Sequence, residues 1–288
     1  MAERPYDALI LDLDGTLLDG RGAVRPRTRE ALDAARAAGV RVLVATGRSS
    51  LSAHPVLAQN GLLDPAVVFN GAAVYSPREQ RMLEERVLSN RTRDRAVAFG
   101  LGRGWLTVLM CAGRKLSLAP RDEEEERALA FMTSLEIVEP ADLRAEFVIR
   151  VTYLARRRGD SAGFAREVEA AVAEPAYLTH FPLSALDAHR GSDLQVVDLH
   201  PPCRGKAEAL RVLEEHWGIP ASRTVAVGDA TNDLPMFEAA GLSVAMGDGM
   251  PEAVAAARRV IGGHDTDAIA ELVEELFLGA ATRPARAS

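Results

Sequence analysis

Short apolar runs alternate with longer amphipathic stretches in the first and last thirds of the chain. A short apolar run that ends at polar residues is typical of a strand buried on both faces, and the longer stretches are typical of helices. The predicted strands are Ala8–Leu11, Val40–Ala45, Val67–Phe69, Val225–Val227 and Leu242–Met246. The predicted helices are Pro26–Ala38, Arg48–Asn60, Lys206–Trp217, Leu234–Ala240 and Ala268–Phe277. This alternation predicts an α/β fold with a doubly wound, Rossmann-like parallel sheet, and we expect Pro55 to kink or break its helix.

The middle of the chain has a different pattern, with longer strand candidates. Its predicted strands are Arg81–Leu88, Trp105–Cys111, Phe147–Leu154 and Leu194–Leu199. Its predicted helices are Asn90–Phe99, Glu123–Met132 and Ala162–Ala173. We therefore expect residues 76–197 to form an inserted α+β domain. Residues 1–75 and 198–288 are expected to join into the doubly wound core.

Composition and charge exclude several classes of protein. The chain has 288 residues, of which 48% are hydrophobic, so it can bury a sizeable core. The formal net charge of -7 and the lack of a basic stripe argue against a nucleic-acid partner. Its two cysteines lie far apart, which argues against a disulfide framework or a zinc site and favours a reducing compartment. We expect a cytoplasmic protein, because neither a signal peptide nor a membrane span is recognisable. The sequence leaves the oligomeric state open.

Lysine is rare in this chain. Of the 34 basic residues, only Lys115 and Lys206 are lysines, and the others are arginines. An ammonium group is a compact point charge, whereas guanidinium is a planar fork. Each lysine therefore calls for a specific explanation.

Two carboxylates follow the first predicted strand, in the sequence Asp12-Leu13-Asp14-Gly15-Thr16. Ligands bind at the carboxyl edge of a doubly wound sheet, and both carboxylates can reach one point there. Gly15 allows a sharp turn without a side chain in the way. A nucleophilic carboxylate with a second one as general acid and base is a coherent pair. Two aspartates at this spacing, taken alone, would be interpreted as part of a solvated turn. The catalytic interpretation therefore depends on which other side chains lie at the same edge of the sheet.

Polar segments follow two further strands at the same predicted edge. Thr46-Gly47-Arg48 offers a hydroxyl and backbone N–H groups that suit a phosphate. Gly228-Asp229-Ala230-Thr231-Asn232-Asp233 adds a third carboxylate, with Asn232 and Asp233 opening a helix that either residue can also cap. Arg48 and Asn70 are expected to shape the entrance to the site.

Lys206 is the least expected member of this set. It begins a predicted helix, where a cation is poorly placed against the helix dipole. A phosphate-binding role explains both its position and the choice of lysine over arginine. A carboxylate is repelled by a phosphate dianion, and Mg²⁺ held by oxygen ligands removes that repulsion. Lys206, Asn232 and the Thr46 loop would hold the other phosphoryl oxygens.

These segments resemble, in order, the four motifs of the haloacid dehalogenase-like (HAD) superfamily: DxDGT, a Thr-Gly-Arg motif, a lysine motif and GDxxND. The details are similar to the Cof-type phosphatases (subfamily IIB), whose cap lies between the second and third motifs. The resemblance implies that residues 76–197 form this cap, which sets substrate specificity, and that residues 1–75 and 198–288 form the HAD catalytic core. Phe69-Asn70-Gly71-Ala72 resembles the NGA segment of that branch, and Lys206-Ala207-Glu208-Ala209-Leu210 resembles its KGxAL with alanine in place of glycine. The resemblance covers the two outer thirds of the chain.

The resemblance implies a phosphatase that acts on a small phosphate ester, such as a sugar phosphate, with Mg²⁺ as cofactor. Asp12 would form an aspartyl-phosphate, and Asp14 would protonate the leaving oxygen and then activate water. The metal would be bound by the Asp12 carboxylate, the Asp14 carbonyl and Asp229. Asp233 would support the metal or orient Lys206. The backbone N–H groups of Leu13 and Gly47 would face the phosphate.

Other functions remain open at the level of the sequence. Related proteins with a similarly placed cap are phosphohexomutases, and the motifs do not separate transfer from hydrolysis. A receiver-like domain also carries clustered aspartates and would act as a phospho-aspartate switch, although the acid/base position of Asp14 argues against a persistent phospho-aspartate. Dehalogenation needs neither Mg²⁺ nor Asp14, and a membrane pump would need membrane spans.

Overall fold

The computed structural model describes residues 4–130, 132–156 and 160–279. They form two compact units. The first unit runs to Gly47, resumes at His54–Arg81 and continues from Arg204. The second unit combines Arg48–Ala53 with Met82–Cys203.

Strands and helices alternate through the described residues. The strands are β1 Ala8–Leu11, β2 Arg41–Ala45, β3 Ala66–Val68, β4 Ala73–Ser76, β5 Arg81–Glu85, β6 Leu106–Met110, β7 Lys115–Ser117, β8 Leu135–Ile137, β9 Arg150–Arg156, β10 Tyr177–Pro182, β11 Leu194–His200, β12 Thr224–Gly228, β13 Leu242–Met246 and β14 Arg259–Ile261. The α-helices are α1 Pro26–Ala37, α2 Ser50–Gln59, α3 Asn90–Arg103, α4 Glu123–Ala130, α5 Ser161–Val172, α6 Glu208–Trp217, α7 Leu234–Ala239, α8 Pro251–Ala256 and α9 Ala268–Val273.

The sheet of the first unit has the strand order β14-β13-β12-β1-β2-β3-β4-β5. Its pairs from β14 to β3 are parallel, and β4 is antiparallel to β3. Strand β1 is central and all four of its residues are buried. Leu11 pairs with Val227 of β12 and with Val44 of β2, so these three strands end at the same level. The residues that follow them therefore meet at one edge of the sheet.

The second unit contains a six-stranded sheet with the order β10-β11-β9-β6-β7-β8. Its pairs are antiparallel except for β7 with β8. An apolar cluster joins one face of this sheet to α3 and α5, with Tyr153 and Phe164 among its fully buried members. A helix layer on one face of a mixed sheet is an α+β arrangement.

The predicted fold class is confirmed, and most predicted elements are present with ends shifted by one or two residues. A break at Pro55 is wrong, because α2 runs as one helix from Ser50 to Gln59 around that proline. Lys206 lies in a 3₁₀ turn just before α6 rather than within that helix. The sequence analysis missed five strands, β4, β7, β8, β10 and β14, and the short helix α8.

Within the described ranges, no helix has both the length and the apolar character that crossing a membrane would require.

Candidate active site

Asp12 occupies the end of the central strand of the first unit. Its backbone N–H donates to the Val227 carbonyl at 3.0 Å, which continues the pairing of β1 with β12 by one residue. Asp12 is only 5% exposed. A carboxylate at this depth has lost most of its hydration, so its neighbours decide whether it is charged.

The turn after Asp12 is shaped by its contact with Asp229. Gly15 has φ +75°, and a Cβ at this position would lie 2.5 Å from Asp229 Oδ2. The Thr16 hydroxyl donates to Asp229 Oδ1 at 2.8 Å. Glycine is therefore required by both the backbone conformation and the close approach. Thr16 positions the Asp229 carboxylate, a role that the sequence analysis missed. Its place within the DxDGT motif was the feature of the sequence that could have indicated this role.

Lys206 lies between two buried carboxylates. Its ammonium group is 2.8 Å from Asp12 Oδ1 and 2.6 Å from Asp233 Oδ1, and the residue is 1% exposed. The other oxygen of Asp233 accepts hydrogen bonds from the N–H groups of Asp229 and Ala230, both at 2.9 Å. Asp233 thus fixes Lys206 on one side and the start of the Asp229 loop on the other.

The charges in this cluster do not balance. Three carboxylates, those of Asp12, Asp229 and Asp233, offer oxygens that all lie within 4.8 Å of one another. The Lys206 ammonium compensates for one of the three negative charges. The group therefore carries an excess of about two negative charges if all four side chains are ionised.

The pKa values reflect this imbalance. Burial raises the pKa of Asp12 well above its ordinary range, and the Lys206 charge opposes that rise. Burial and the neighbouring Asp233 charge raise the pKa of Asp229 to about 6. Burial alone would lower the pKa of Lys206, but the charges of Asp12 and Asp233 outweigh it and raise the pKa.

A divalent cation suits this donor set. Hard cations such as Mg²⁺ prefer carboxylate and carbonyl oxygens. The three clustered carboxylates supply such oxygens, and a charge of +2 matches the excess left after Lys206. The residues present therefore fit Mg²⁺, with Asp12 and Asp229 as carboxylate ligands.

A second polar group links three other predicted site segments. Asn70 donates its backbone N–H to the Thr46 carbonyl at 3.1 Å, and its side-chain oxygen accepts from the Asn232 amide at 3.0 Å. Asn70 has φ +51°, a left-handed conformation that asparagine tolerates better than most residues. The Asn70 amide also approaches Gly47, where an added Cβ would lie 3.0 Å from its Oδ1 atom.

The structure thus brings most of the predicted site residues together in two groups. One group contains Asp12, Lys206, Asp229 and Asp233. The other contains Thr46, Gly47, Asn70 and Asn232.

Three predicted residues differ from these groups. Asp14 is exposed, whereas Asp12 is buried. The Leu13 side chain is fully buried, so only its backbone is available for a ligand. Arg48 belongs by its contacts to the second unit, where its guanidinium donates to the Ser52 carbonyl at 3.4 Å.

The chain matches a known protein family along most of its length. The model of the haloacid dehalogenase-like hydrolases matches residues 9–273. The phosphatase YitU of Bacillus subtilis (strain 168), which acts on 5-amino-6-(5-phospho-D-ribitylamino)uracil, is 26% identical over 283 residues, covering 96% of this chain and 99% of that protein. The pyridoxal phosphate phosphatase YbhA of Escherichia coli (strain K12) is 29% identical over 278 residues, covering 92% of this chain and 96% of that protein.

Solved structures agree on the fold. A haloacid dehalogenase-like hydrolase from Bacteroides thetaiotaomicron has a TM-score of 0.75 and 23% identity, covering 94% of this chain and 100% of that chain. A HAD subclass IIB sugar phosphatase has a TM-score of 0.76 and 22% identity, covering 93% and 98% of the two chains.

The chain belongs to the haloacid dehalogenase-like hydrolases. Within that family it is a Cof-type phosphatase, a phosphoric monoester hydrolase.

Proposed function

We propose that the chain hydrolyses the phosphate monoester of a small metabolite through an aspartyl-phosphate on Asp12, with Mg²⁺ as cofactor. The observation that carries this proposal is the buried Asp12 carboxylate, 2.8 Å from the Lys206 ammonium and clustered with Asp229 and Asp233. A structural ion pair would need one partner carboxylate for one ammonium. The two carboxylates left over after one is paired with Lys206 instead suit a site that binds a metal and a phosphate.

In the first step, an Asp12 carboxylate oxygen attacks phosphorus and forms a new P–O bond. The bond from phosphorus to the ester oxygen breaks, and Asp14 gives that oxygen a proton, so that an alcohol leaves. Asp14 is exposed and therefore accessible to both substrate and solvent. In the second step, Asp14 takes a proton from water as the water attacks phosphorus, and the bond to Asp12 breaks to release phosphate.

The remaining residues bind and orient the phosphoryl group. Lys206 lies at 2.8 Å from the nucleophilic carboxylate, so it can contact phosphoryl oxygens that approach Asp12. The backbone N–H groups of Leu13 and Gly47, the Thr46 hydroxyl and the Asn232 amide would complete the phosphate contacts. Arg48 and Asn70 would shape the entrance.

Asp12, the Asp14 carbonyl and Asp229 would hold Mg²⁺, with Asp233 supporting the site through Lys206 and the Asp229 loop. When bound, Mg²⁺ neutralises the repulsion between the carboxylate and the phosphate and fixes their geometry.

The relatives support a small metabolite as the substrate. YitU and YbhA act on phosphate esters of a ribitylamino-uracil and of pyridoxal, respectively. These substrates share a phosphate group on a small organic molecule. We propose the same class for this chain, with residues 76–197 acting as the cap that selects the leaving group.

The proposal is tested with p-nitrophenyl phosphate and two matched variants. We expect Mg²⁺-dependent release of phosphate by the unmodified protein and a loss of at least about 10³-fold in Asp12→Asn, because the nucleophile is removed. Asp19→Asn is the control. Asp19 is also a buried aspartate, but it accepts hydrogen bonds from the Arg21 and Ala23 N–H groups and stands outside the cluster. Full activity in Asp12→Asn would overturn the mechanism.

Hydrolysis and mutase activity are distinguished by their products. With a hexose monophosphate as substrate, hydrolysis gives free hexose and phosphate, whereas a mutase gives an isomeric hexose phosphate. Mass spectrometry and a phosphate assay on the same reaction measure both. We expect phosphate and hexose in equal amounts; accumulation of the isomer instead would replace the phosphatase with a mutase.

A further inference from the structure

Two neighbouring loops of the first unit are joined by one histidine and one aspartate. They are the β13–α8 loop, residues 247–250, and the β14–α9 loop, residues 262–267, and the strands that they follow are paired in parallel. The Nδ1 atom of His264 lies 2.7 Å from Asp248 Oδ2. The backbone N–H of His264 also donates to Asp248, at 3.2 Å from each carboxylate oxygen. One carboxylate thus binds both the ring and the backbone of His264.

The imidazole of His264 lies between two carboxylates. An ionised carboxylate can only accept a hydrogen bond, so the contact with Asp248 assigns a proton to Nδ1. The other ring nitrogen, Nε2, lies 3.8 Å from Asp265 Oδ2. Gly263 allows the first contact, because an added Cβ at that position would lie 2.5 Å from Asp248 Oδ2. The local sequence therefore brings Asp248 close against the β14–α9 loop.

The β13–α8 loop is in direct contact with Asp229, one of the proposed metal ligands. The Met250 N–H donates to the Asp229 carbonyl at 2.6 Å. Gly249 packs against the same residue, since an added Cβ there would lie 2.6 Å from the Asp229 carbonyl oxygen and 3.1 Å from the Asp229 Cβ atom. Asp248 immediately precedes these two residues. Its bonds to His264 therefore fix the part of the loop that Asp229 contacts.

The position of Asp229 depends on contacts from three directions. The Thr16 hydroxyl donates to its Oδ1 atom at 2.8 Å, and Asp233 accepts its backbone N–H at 2.9 Å. Among the described residues, Met250 supplies the hydrogen bond to its carbonyl group. Mg²⁺ demands near-ideal octahedral geometry, so a small displacement of a carboxylate ligand lowers the affinity for the ion. Loosening the β13–α8 loop should therefore weaken metal binding.

The β14–α9 loop also bonds the segment that follows Asp14. The Gly20 N–H donates to Asp265 Oδ1 at 2.8 Å. The loop is thus connected to both segments that carry proposed metal ligands, one after β1 and one after β12. His264 lies in the middle of this connection, because it contacts carboxylates on both sides.

We propose that His264 is a positioning residue for the metal site: bound to Asp248, it holds the β13–α8 loop against Asp229 and so fixes the carboxylate that binds Mg²⁺. Removing a residue that orients a metal ligand typically lowers metal affinity about 10- to 100-fold. His264 acts through the β13–α8 loop, so we expect an effect at the lower end of that range. This inference rests on the proposed function, because it requires Asp229 to be a ligand of Mg²⁺.

Calorimetric titration with Mg²⁺ in the absence of substrate tests the proposal. The His264 and Asp248 side chains are partly exposed, so their removal should leave the fold intact. We expect His264→Ala to raise the Kd for Mg²⁺ about 10-fold. His264→Asn keeps an N–H donor near the position of Nδ1 and should return the Kd to within about 3-fold of the unmodified value. An unchanged Kd in His264→Ala would overturn the inference.

Arg259→Met is the matched control for this titration. It breaks another partly exposed ion pair at the start of β14, between Arg259 and Glu275. Neither residue belongs to the two loops, so we expect the Kd for Mg²⁺ to change by less than about 2-fold. A rise in Kd equal to that of His264→Ala would show that any lost ion pair of this region weakens the site, and would contradict a specific role for His264.

Enzyme kinetics separate positioning of the metal ligand from a general loss of structure. With p-nitrophenyl phosphate, we expect His264→Ala to need about 10-fold more Mg²⁺ for half-maximal activity, with kcat and KM at saturating Mg²⁺ changed by less than about 3-fold. Asp248→Ala should give the same shift, and the double variant should add little, because both changes break one contact. A lower kcat with an unchanged Mg²⁺ requirement would contradict the proposal.

A failure of the proposed cofactor is recognised separately. If the unmodified protein binds no Mg²⁺, the metal assignment has failed, and the role of His264 is measured in the metal-free protein by hydrogen exchange and mass spectrometry. We expect the peptides that contain Asp229 and Met250 to exchange about 5-fold faster in His264→Ala, with no change in Arg259→Met. Equal exchange in His264→Ala and the unmodified protein overturns the inference.

Discussion

A single ammonium group compensates for the carboxylates around the proposed nucleophile. Lys206 is 1% exposed and contacts both Asp12 and Asp233. Removing one partner of a buried ion pair leaves the other charge uncompensated, and such changes cost about 3–5 kcal/mol. The same residue would bind the phosphate, so stability and activity depend on it together.

Lys206→Met is therefore expected to lower the free energy of unfolding by about 3–5 kcal/mol and kcat/KM by at least about 10²-fold. Urea unfolding and p-nitrophenyl phosphate hydrolysis measure the two effects. Lys206→Arg keeps the charge but replaces a compact ammonium by a planar fork, so we expect it to recover stability better than activity. Arg81→Met, which removes a cation from the exposed ion pair with Glu79, should change the free energy of unfolding by less than about 1 kcal/mol. An active, stable Lys206→Met protein would remove Lys206 from the site.

Several site residues could be predicted from the sequence because each follows a recognisable strand. Asp12 and Asp229 come directly after buried apolar runs, and the parallel order places those ends together. The contact of Thr16 with Asp229 depends on the exact path of the turn, so its role was missed. The rarity of lysine marked Lys115, but its burial follows from strand pairing that the sequence does not reveal.

At the level of secondary structure, the NGA segment, Asn70-Gly71-Ala72, packs closely against the backbone at Gly205. Gly71 has φ +97°, and a Cβ there would lie 2.0 Å from the Gly205 carbonyl oxygen. Gly205 begins the turn that carries Lys206. Any side chain at position 71 would therefore push the NGA segment and the Lys206 turn apart.

Gly71→Ala is expected to destabilise the protein by more than about 3 kcal/mol, because it combines backbone strain with a clash against backbone atoms. Gly61→Ala is the control. Gly61 has φ +67°, and an added Cβ there meets nothing within 4 Å, so it isolates the strain of about 1–2 kcal/mol. Thermal unfolding of the two variants measures the difference. An equal loss of stability in the two variants would show that the close approach of Gly71 to Gly205 does not contribute to the cost of Gly71→Ala.

The elements that the sequence did not predict share physical features. Strands β7, β8 and β14 have three residues each, too few for a pattern of period two to be recognised. Strand β10 contains His180 and ends at Pro182, residues that weaken a strand prediction. Conversely, Pro55 lowers local helix propensity, yet α2 continues through it, because one lost hydrogen bond does not outweigh the burial of Ala53 and Leu57.

For the whole molecule, His200 links stability to pH. Its pKa falls from an ordinary value of 6.5 to about 4 in the folded state, mainly by burial. The Asp198 charge opposes that shift and the Arg150 charge adds to it. Between pH 6.5 and 4, the unfolded chain therefore binds a proton here that the folded protein does not. Stability from this residue is present above pH 6.5 and is lost as the pH falls toward 4.

From pH 7 to pH 5, this linkage removes about 2 kcal/mol from the free energy of unfolding. In His200→Gln, the free energy of unfolding should therefore fall by about 2 kcal/mol less between pH 7 and pH 5 than in the unmodified protein. Urea unfolding in a Trp217→Phe background measures it, because Trp105 of the second unit is then the only tryptophan. His216→Gln, at an exposed position of α6, controls for loss of an imidazole. Identical pH dependence in His200→Gln and the unmodified protein would contradict a neutral, buried His200.

The central claim is that the phosphoryl group passes through Asp12. The most direct test is an acid quench during turnover of p-nitrophenyl phosphate with Mg²⁺, followed by proteolysis and mass spectrometry. We expect the mass of one phosphoryl group on the peptide that contains Asp12, in greater amount in Asp14→Asn, where hydrolysis of the intermediate is slowed. Phosphate release with no phosphoryl group on that peptide in either protein would contradict the account.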